Sequence, residues 1–552
     1  MMLLQIMNRH KILIIGLIIM NLFTFCSNRN KEISEAPWKD YPCIYEHIKN
    51  NIDPTGKLSD AGDKLPDDSR RFKEGDLRWV SGGMDGTFGH HGGGNRKAVN
   101  KIAKLTKKIS ENGRRKDKIE IYNLLIEDNL MDFIDPTLEK IVNLNVHSEP
   151  HLHNWAKWLA FESPDRGAVK FGIALLGLIR DKEDLEKLLI LGKHEEFTLF
   201  VAVAISNTLE NAETYLWELA KYVDGWGKIS LVERLAETQN PEIKKWMIYE
   251  GYKNSIMYEY LAYICATTGD LKTELSKNEN DTELIKASGE IIEALINGGP
   301  VEDISIYKDA ASVIKLYLAQ TIGKFYTLDR FLILNTIKSY LSDKEADWNK
   351  LSENGWSDDL RANLLISIEK ELSLPIWRNL VDEKKNTEND AEFWQVDRAA
   401  SMLKVDMWEI HWQKLINNPT ESGLWYNVMK NANDERIDQI IDLAMTKIDL
   451  ESISTGAEDN MGLGKKYELH CCLDFIIQDL DKYPNKGETL VLTALKSPVV
   501  RNRNMAIKTL DAWGKENIND KIKKSIIAAE KVEPNEDIKK NLNKLLKGQL
   551  ID

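Results

Sequence analysis

Ser497–Gly514 reads SPVVRNRNMAIKTLDAWG, where helix-start chemistry and apolar spacing meet most clearly. Ser497 is a helix-cap residue type, and Pro498 suits a first helical turn, where its missing N–H has no intrahelical partner to lose. Behind them Met505, Ile507, Leu510 and Trp513 come close to one stripe at three- and four-residue spacing, the pattern of an amphipathic helix that needs a partner. Ser163-Pro164-Asp165-Arg166 and Asn240-Pro241-Glu242-Ile243-Lys244-Lys245 repeat the same order of cap residue, first-turn proline and base. Val169, Ile173, Leu176 and Ile179 supply the stripe that follows the first of these.

From Asn95 to Lys547 the chain reads as helix after helix, broken at Asn112-Gly113, Pro136, Ser163-Pro164, Asn240-Pro241, Gly298-Gly299-Pro300, Pro375, Asn418-Pro419, Gly456, Pro484 and Ser497-Pro498. No stretch alternates as a strand would. Helices of roughly 10 to 18 residues with short connections have the dimensions of stacked helical hairpins. On these residues the sequence resembles HEAT-type repeats, whose proline turns the first helix of a unit and whose arginine joins it to the next. The period drifts, and many units lack the proline. The expected fold is all-α, a HEAT/armadillo-like α-solenoid over residues 136–552, with a single globular helical domain as the competing architecture.

The whole chain has 552 residues, 74 Lys plus Arg against 87 Asp plus Glu, and a net charge of −13. With 43 % hydrophobic and 29 % charged residues it is neither disordered, nor collagen-like, nor a polytopic membrane protein. Fourteen prolines beside 15 tryptophans favour long apolar elements over a turn-rich β-sandwich.

Arg9, His10 and Lys11 precede an apolar run from Ile12 to Phe25 that ends at Cys26. This is the layout of a signal peptide, and the run is shorter than the roughly 20 residues a membrane-spanning helix needs. Leu22-Phe23-Thr24-Phe25-Cys26 resembles a bacterial lipoprotein box, which implies lipidation of Cys26 after cleavage and a lipid-anchored address in the cell envelope, at the outer membrane or cell surface. Phe25 departs from that pattern, which wants Gly, Ala or Ser there, so an uncleaved or differently cleaved signal is the alternative. Cys43, Cys265, Cys471 and Cys472 remain, in apolar surroundings and without a CxxC spacing, and read as buried free thiols.

The expected layout is therefore a signal peptide over 1–26, an extended leader with a glycine-rich segment over 27–95, a basic helical region over 96–135 and the helical repeats beyond. In the leader, Ser81–Gly94 holds seven glycines in fourteen residues, which by helix propensity bars a helix. Gly83, Gly86, Gly89 and Gly92 recur every third residue and would let backbone N–H groups approach a ligand, with His90 beside them as a proton carrier or metal ligand. A plain connector explains the same residues. Neither GxxxxGK[ST] nor GxGxxG is present, so no nucleotide fingerprint is met. His147, His151 and His153 raise a metal site, but Pro150 interrupts the helical spacing that would align them, and a helix start leading to Trp155 and Trp158 accounts for the segment.

Between Arg96 and Lys118 ten bases face two acids, a local net of +8. Ala98, Ile102, Leu105 and Ile109 share one helical face and Lys101, Lys104 and Lys108 another, so a basic amphipathic helix is expected, able to meet anionic lipid headgroups, an acidic partner or the acidic repeats of its own chain. An extracytoplasmic address leaves nucleic acid out as a partner. Near the C-terminus His470, Asp474, Arg501, Asn502 and Arg503 combine a base, a carboxylate and guanidinium groups that adjacent repeats would bring together, either as a catalytic group or as an interlock between repeats.

GGMDGTFGHH, NPEIKKWMIYEGYKNSIMYEYLAYICATTGDL, MGLGKKYELHCCLDFIIQDL and SPVVRNRNMA together resemble a bacterial family labelled limonene hydroxylase. That resemblance implies an enzyme acting on a small apolar molecule, with Trp246, Tyr258 and Tyr260 lining a pocket. No dinucleotide fold, haem-thiolate motif or iron triad accompanies it, so no cofactor is indicated by motif. The leading expectation is a membrane-tethered repeat scaffold that binds a protein, peptide or envelope component.

Overall fold

The structure, a computed structural model, describes residues 36–72, 78, 80–88, 96–127, 130–144, 146, 150–277, 281–549 and 551. The protein is all-α: among the described residues the only β pairings are isolated bridges between Ile52 and Leu58 and between Asn460 and Val499. Cys26, Gly89, His90, Gly92 and His147 lie outside the described residues. No described helix is long and apolar enough to cross a membrane. The helices gather into two compact units, the first comprising, of the described residues, 36–72, Arg78–Thr321 and Lys344–Arg361, the second Ile322–Asp343 and those of Ala362–Asp552.

In the first unit helix Pro150–Glu162 packs on Arg166–Ile179, which packs on Glu195–Thr208, then on through Gly225–Arg234, Glu259–Thr268 and Thr282–Asn297. This succession is compatible with stacked hairpins. The expected stripe holds over Val169, Ile173 and Leu176, which are fully buried, and weakens at Ile179, which is half-buried. Two glycines let its helix sink deeper than a stripe requires: a Cβ at Gly172 would stand 2.5 Å from the backbone N of Ala160, and one at Gly177 would stand 2.7 Å from Cα of Ala204.

In the second unit Ser422–Lys430 packs on Glu468–Ile477, which packs on Val500–Trp513, which meets Glu536–Lys547. Tryptophans tie these layers. Trp425 and Trp513 are buried, and their indole N–H groups donate to the carbonyls of Pro419 and Leu480, at 2.8 and 2.7 Å. The Val500–Trp513 stripe is shifted from the expected one: Met505 is half-buried, whereas Arg503, Ala506, Ile507, Leu510 and Trp513 are buried.

Three expectations are corrected. First, residues 36–72 are not an extended leader. Helix Ile44–Asn50 buries Ile44 and Ile48, the Ile44 N–H donates to the Ser163 carbonyl at 3.1 Å, and Asp67 pairs with Arg166 at 2.8 Å. Apolar residues spaced for a helix and a carboxylate with a waiting guanidinium outweigh the prolines. The expected division at residue 136 likewise falls inside the first unit, because the basic helix Arg96–Asn112 packs on Arg115–Glu127, Ile134–Asn143 and Pro150–Glu162. Second, Gly83–Phe88 is a short helix despite its glycines. Asp85 within it is buried against Lys170, a tertiary contact that outweighs a propensity cost of about 1 kcal/mol per glycine. Third, Pro241 occupies a first helical turn, but Pro164 and Pro498 do not. Helices there begin at Arg166 and Val500, because Ser163 and Ser497 accept hydrogen bonds from the N–H groups of Asp165 and Val499 and close a turn around the proline first.

Candidate functional site

The ends of successive helices in the first unit enclose a cleft of about 930 Å³. Its wall runs from Lys57–Asp63 through Lys193 and Glu195, then Lys221–Asp224 and Lys228, to Trp246, Glu250, Lys253–Ser255 and Tyr258. Local structure explains the odd members. Gly225 has φ +54°, and a Cβ there would stand 2.0 Å from the Glu195 carboxyl, so only glycine lets that carboxyl tuck under helix Gly225–Arg234. Glu195 accepts there from the Trp226 N–H at 3.0 Å. Burial, reinforced by Asp224 and Asp63, pushes its pKa up to about 8, with the Trp226 N–H opposing, so Glu195 is largely protonated at neutral pH.

Lys228 opens the same helix and is 9 % exposed. Its ammonium donates to the Glu250 carbonyl at 2.9 Å and sits 5.6 Å from the centre of the Trp246 ring. Glu250 belongs to a π-helical segment, Met247–Gly251, a distortion that recurs at functional sites. Lys193 repeats the arrangement, donating to the Gly56 carbonyl and lying 4.7 Å from the Tyr222 ring. Burial lowers the pKa of both lysines. The wall's other partnered lysines behave differently: Lys221 pairs with Glu218 and Lys253 with the Glu250 carboxylate.

Beside the cleft lies a buried ionic cluster. Lys170 sits between Asp85 and Glu196, and Glu196 also accepts from the Gly82 N–H at 3.2 Å. Burial works against the Lys170 ammonium, but Glu196 and Asp85 outweigh it and raise its pKa. Gly82 has φ +70°, and a Cβ there would stand 2.8 Å from the Glu195 carbonyl, so of the glycine-rich segment this residue has a firm steric reason. Gly83 abuts Trp226, and Gly86 lies in the short helix. Gly82 and Gly83 bring this stretch of backbone against Glu195 and Trp226.

Lys101, Lys104 and Lys108 are exposed on the basic helix while Ile102, Leu105 and Ile109 are buried beneath them; Lys101 pairs with Glu120 at 3.0 Å. His151 is exposed, and His153 is bound to Asp181. Among the described residues no group of three or more His, Cys, Asp or Glu is set to hold a metal. In the second unit Asp474 joins Arg501 and Asn502, and Asn502 also donates to the His470 carbonyl at 2.8 Å. Burial raises the Asp474 pKa against the pull of Arg501. The His470 ring is buried against Tyr467, its pKa lowered by burial, and neither ring nitrogen bonds Asp474. Arg503 turns away, to a two-bond pair with Glu533 at 2.7 and 2.8 Å. Arg501 and Asp474 therefore meet, His470 contributes only its backbone, and Arg503 serves another contact. All four remaining cysteines are free thiols, but only Cys265 and Cys472 are buried: Cys43 and Cys471 are half-buried, one donating to the Phe161 carbonyl and the other accepting from Arg501, and burial pushes Cys472 up to about 12.

The sequence did not disclose the cleft as a whole. Trp246 and Tyr258 line it as expected for a pocket, whereas Tyr260 packs against Trp226 instead. Lys193 lies at a helix end and Glu195 and Lys228 in first helical turns, places where charged residues are ordinary, and the one local signal is the pair of glycines at Gly225 and Gly227. Compared with known proteins, the chain matches no family model and no curated protein, so the HEAT-type and limonene-hydroxylase resemblances rest on the quoted residues alone.

Proposed function

We propose that the protein is a membrane-tethered helical binding protein of the cell envelope, with the first-unit cleft as its principal ligand site. One observation carries the reading: an open cleft of about 930 Å³, of small-molecule dimensions, walled by ammonium, carboxyl and aromatic groups at the ends of stacked helices. The tether rests on the Arg9–Cys26 signal pattern, and the exposed Lys101, Lys104 and Lys108 give an anionic lipid surface a second point of contact. The rival, a hydroxylase of small apolar molecules, fits this cleft poorly. Seating a hydrocarbon there would strip water from ionic side chains and return no hydrogen bonds.

Two measurements test the proposal. In cells expressing the full chain, the protein should fractionate with membranes, and Cys26→Ala should release it; retention of the variant overturns the tether. Purified protein incubated with limonene, nicotinamide cofactors and iron should give no oxidised product, and turnover would establish the rival.

A further inference from the structure

The donors and acceptors on the cleft wall are not equally occupied. Asp224 accepts from the Ser255 N–H at 3.0 Å, Asp63 accepts from the Ser81 hydroxyl at 2.8 Å, and Glu195 is proton-bearing at neutral pH. Lys221 and Lys253 have carboxylates. Lys57 is unpaired but exposed to water, whereas Lys193 and Lys228 are unpaired and partly or largely buried: among the described residues neither has a carboxylate within 4.0 Å, Asp53 acting on Lys193 and Asp224 and Glu250 on Lys228 only from farther off, and each bonds one carbonyl oxygen out of the three donors an ammonium carries. Carbonyls and ring faces orient an ammonium but do not neutralise it, and a half-desolvated charge without a counter-ion is costly. Elsewhere in the same unit the chain supplies the counter-ion, as at Lys170 with its two carboxylates. The same wall carries Tyr222, Trp246 and Tyr258, which offer an apolar body a surface.

We propose that the cleft binds a small organic anion, its carboxylate or phosphate held by Lys193 and Lys228 and its ring against Tyr222, Trp246 and Tyr258. This rests on the reading of the first unit as a binding unit and names the chemistry of its ligand. Anion charge supplies what the two ammonium groups lack; the aromatic wall and the cleft's volume exceed what an inorganic ion needs.

Isothermal titration of the full soluble chain, Cys26→Ala if membranes retain the natural one, with phenyl phosphate and with glucuronate tests it. Benzyl alcohol, glucose and inorganic phosphate serve as controls. At least one organic anion should bind, and its neutral counterpart should bind at least tenfold more weakly. Binding of phenyl phosphate alone assigns a phosphate ester, and of glucuronate alone a carboxylate. Lys193→Met and Lys228→Met should each weaken binding tenfold or more with an unchanged far-ultraviolet dichroism spectrum; if Lys228→Met does not fold, Lys193→Met, nearer the rim, decides. Inorganic phosphate binding as tightly as phenyl phosphate, neutral controls binding as tightly as the anions, or indifference to both lysine variants overturns the proposal. So does failure of both anions. In that event, envelope extract that still quenches the fluorescence lost in Trp246→Phe leaves the binding reading standing, and extract without effect removes both.

Discussion

Two Ser-Pro turns, one in each unit, are built alike, and the charges buried near both are paired, whereas two lysines of the first-unit cleft are not. Behind Ser163 the Tyr122 hydroxyl donates to Asp165, Arg166 binds Asp67, and Lys170 holds Asp85 and Glu196. Behind Ser497 the Asn502 carboxamide meets the serine hydroxyl, Asp474 binds Arg501, and Arg503 grips Glu533. Both networks match cation to carboxylate, which is what a structural pair needs in a low-dielectric interior. In the second unit the deeply buried guanidinium of Arg330 is matched too, by Glu371 at 2.7 Å. In the first unit Lys193 and Lys228 have carbonyls and ring faces instead, and these two line the cleft. A matched buried charge reports on folding, and an unmatched one on what the protein meets.

That contrast breaks most readily at Arg503. Arg503→Met strands the Glu533 carboxylate, 4 % exposed, and should cost the second unit about 3–5 kcal/mol, read as a lowered denaturant midpoint. The double variant Arg503→Met/Glu533→Leu should recover most of it. A single variant as stable as the natural chain would remove the distinction between the two kinds of buried charge.

Glu195 sharpens the comparison through pH. Its carboxyl ionises near 4.5 in the unfolded chain and at about 8 in the folded one, where Asp224 and Asp63 face it. Between those values the folded chain keeps a proton that the unfolded chain has released, so stability falls as pH rises through this window and levels off above it. Glu195→Gln should flatten that slope in thermal melts between pH 5 and 9; an unchanged slope would place the proton elsewhere.

The smallest expected effect is at Lys228. Lys228→Met removes an ammonium with no carboxylate within 4.0 Å among the described residues, so stability should stay level or rise by about 1 kcal/mol, the opposite sign to Arg503→Met. Destabilisation of 3 kcal/mol or more in urea unfolding would show that Lys228 belongs with the structural charges.

Much of the helical architecture was legible. Val169, Ile173 and Leu176 make a buried face because a 3.6-residue period places them there whatever the partner, and the Asn240-Pro241 start is settled by cap chemistry local to a few residues. The basic helix was equally readable, with lysines out and isoleucines in. Arg503 was not readable as a core residue, since its burial depends on Glu533, thirty residues away. The packing of residues 36–72 and 80–88 was missed for the same reason: Asp67 and Asp85 look like solvated acids until Arg166 and Lys170, 99 and 85 positions on, are placed beside them. Gly83–Phe88 shows the limit of propensity, which a single buried ion pair overrides.

Periodicity, capping and composition act over a few residues, and so the sequence already carried the all-α class, the helix start at Asn240-Pro241, the basic face and two of the buried thiols, Cys265 and Cys472. Only the tertiary structure decided which charges are neutralised. Whether a lysine finds a carboxylate, as Lys170 does, or a carbonyl and a ring, as Lys193 and Lys228 do, depends on groups brought from distant helices to within about 3 Å. Coulombic matching is a property of distance in space, and spacing along the chain does not encode it.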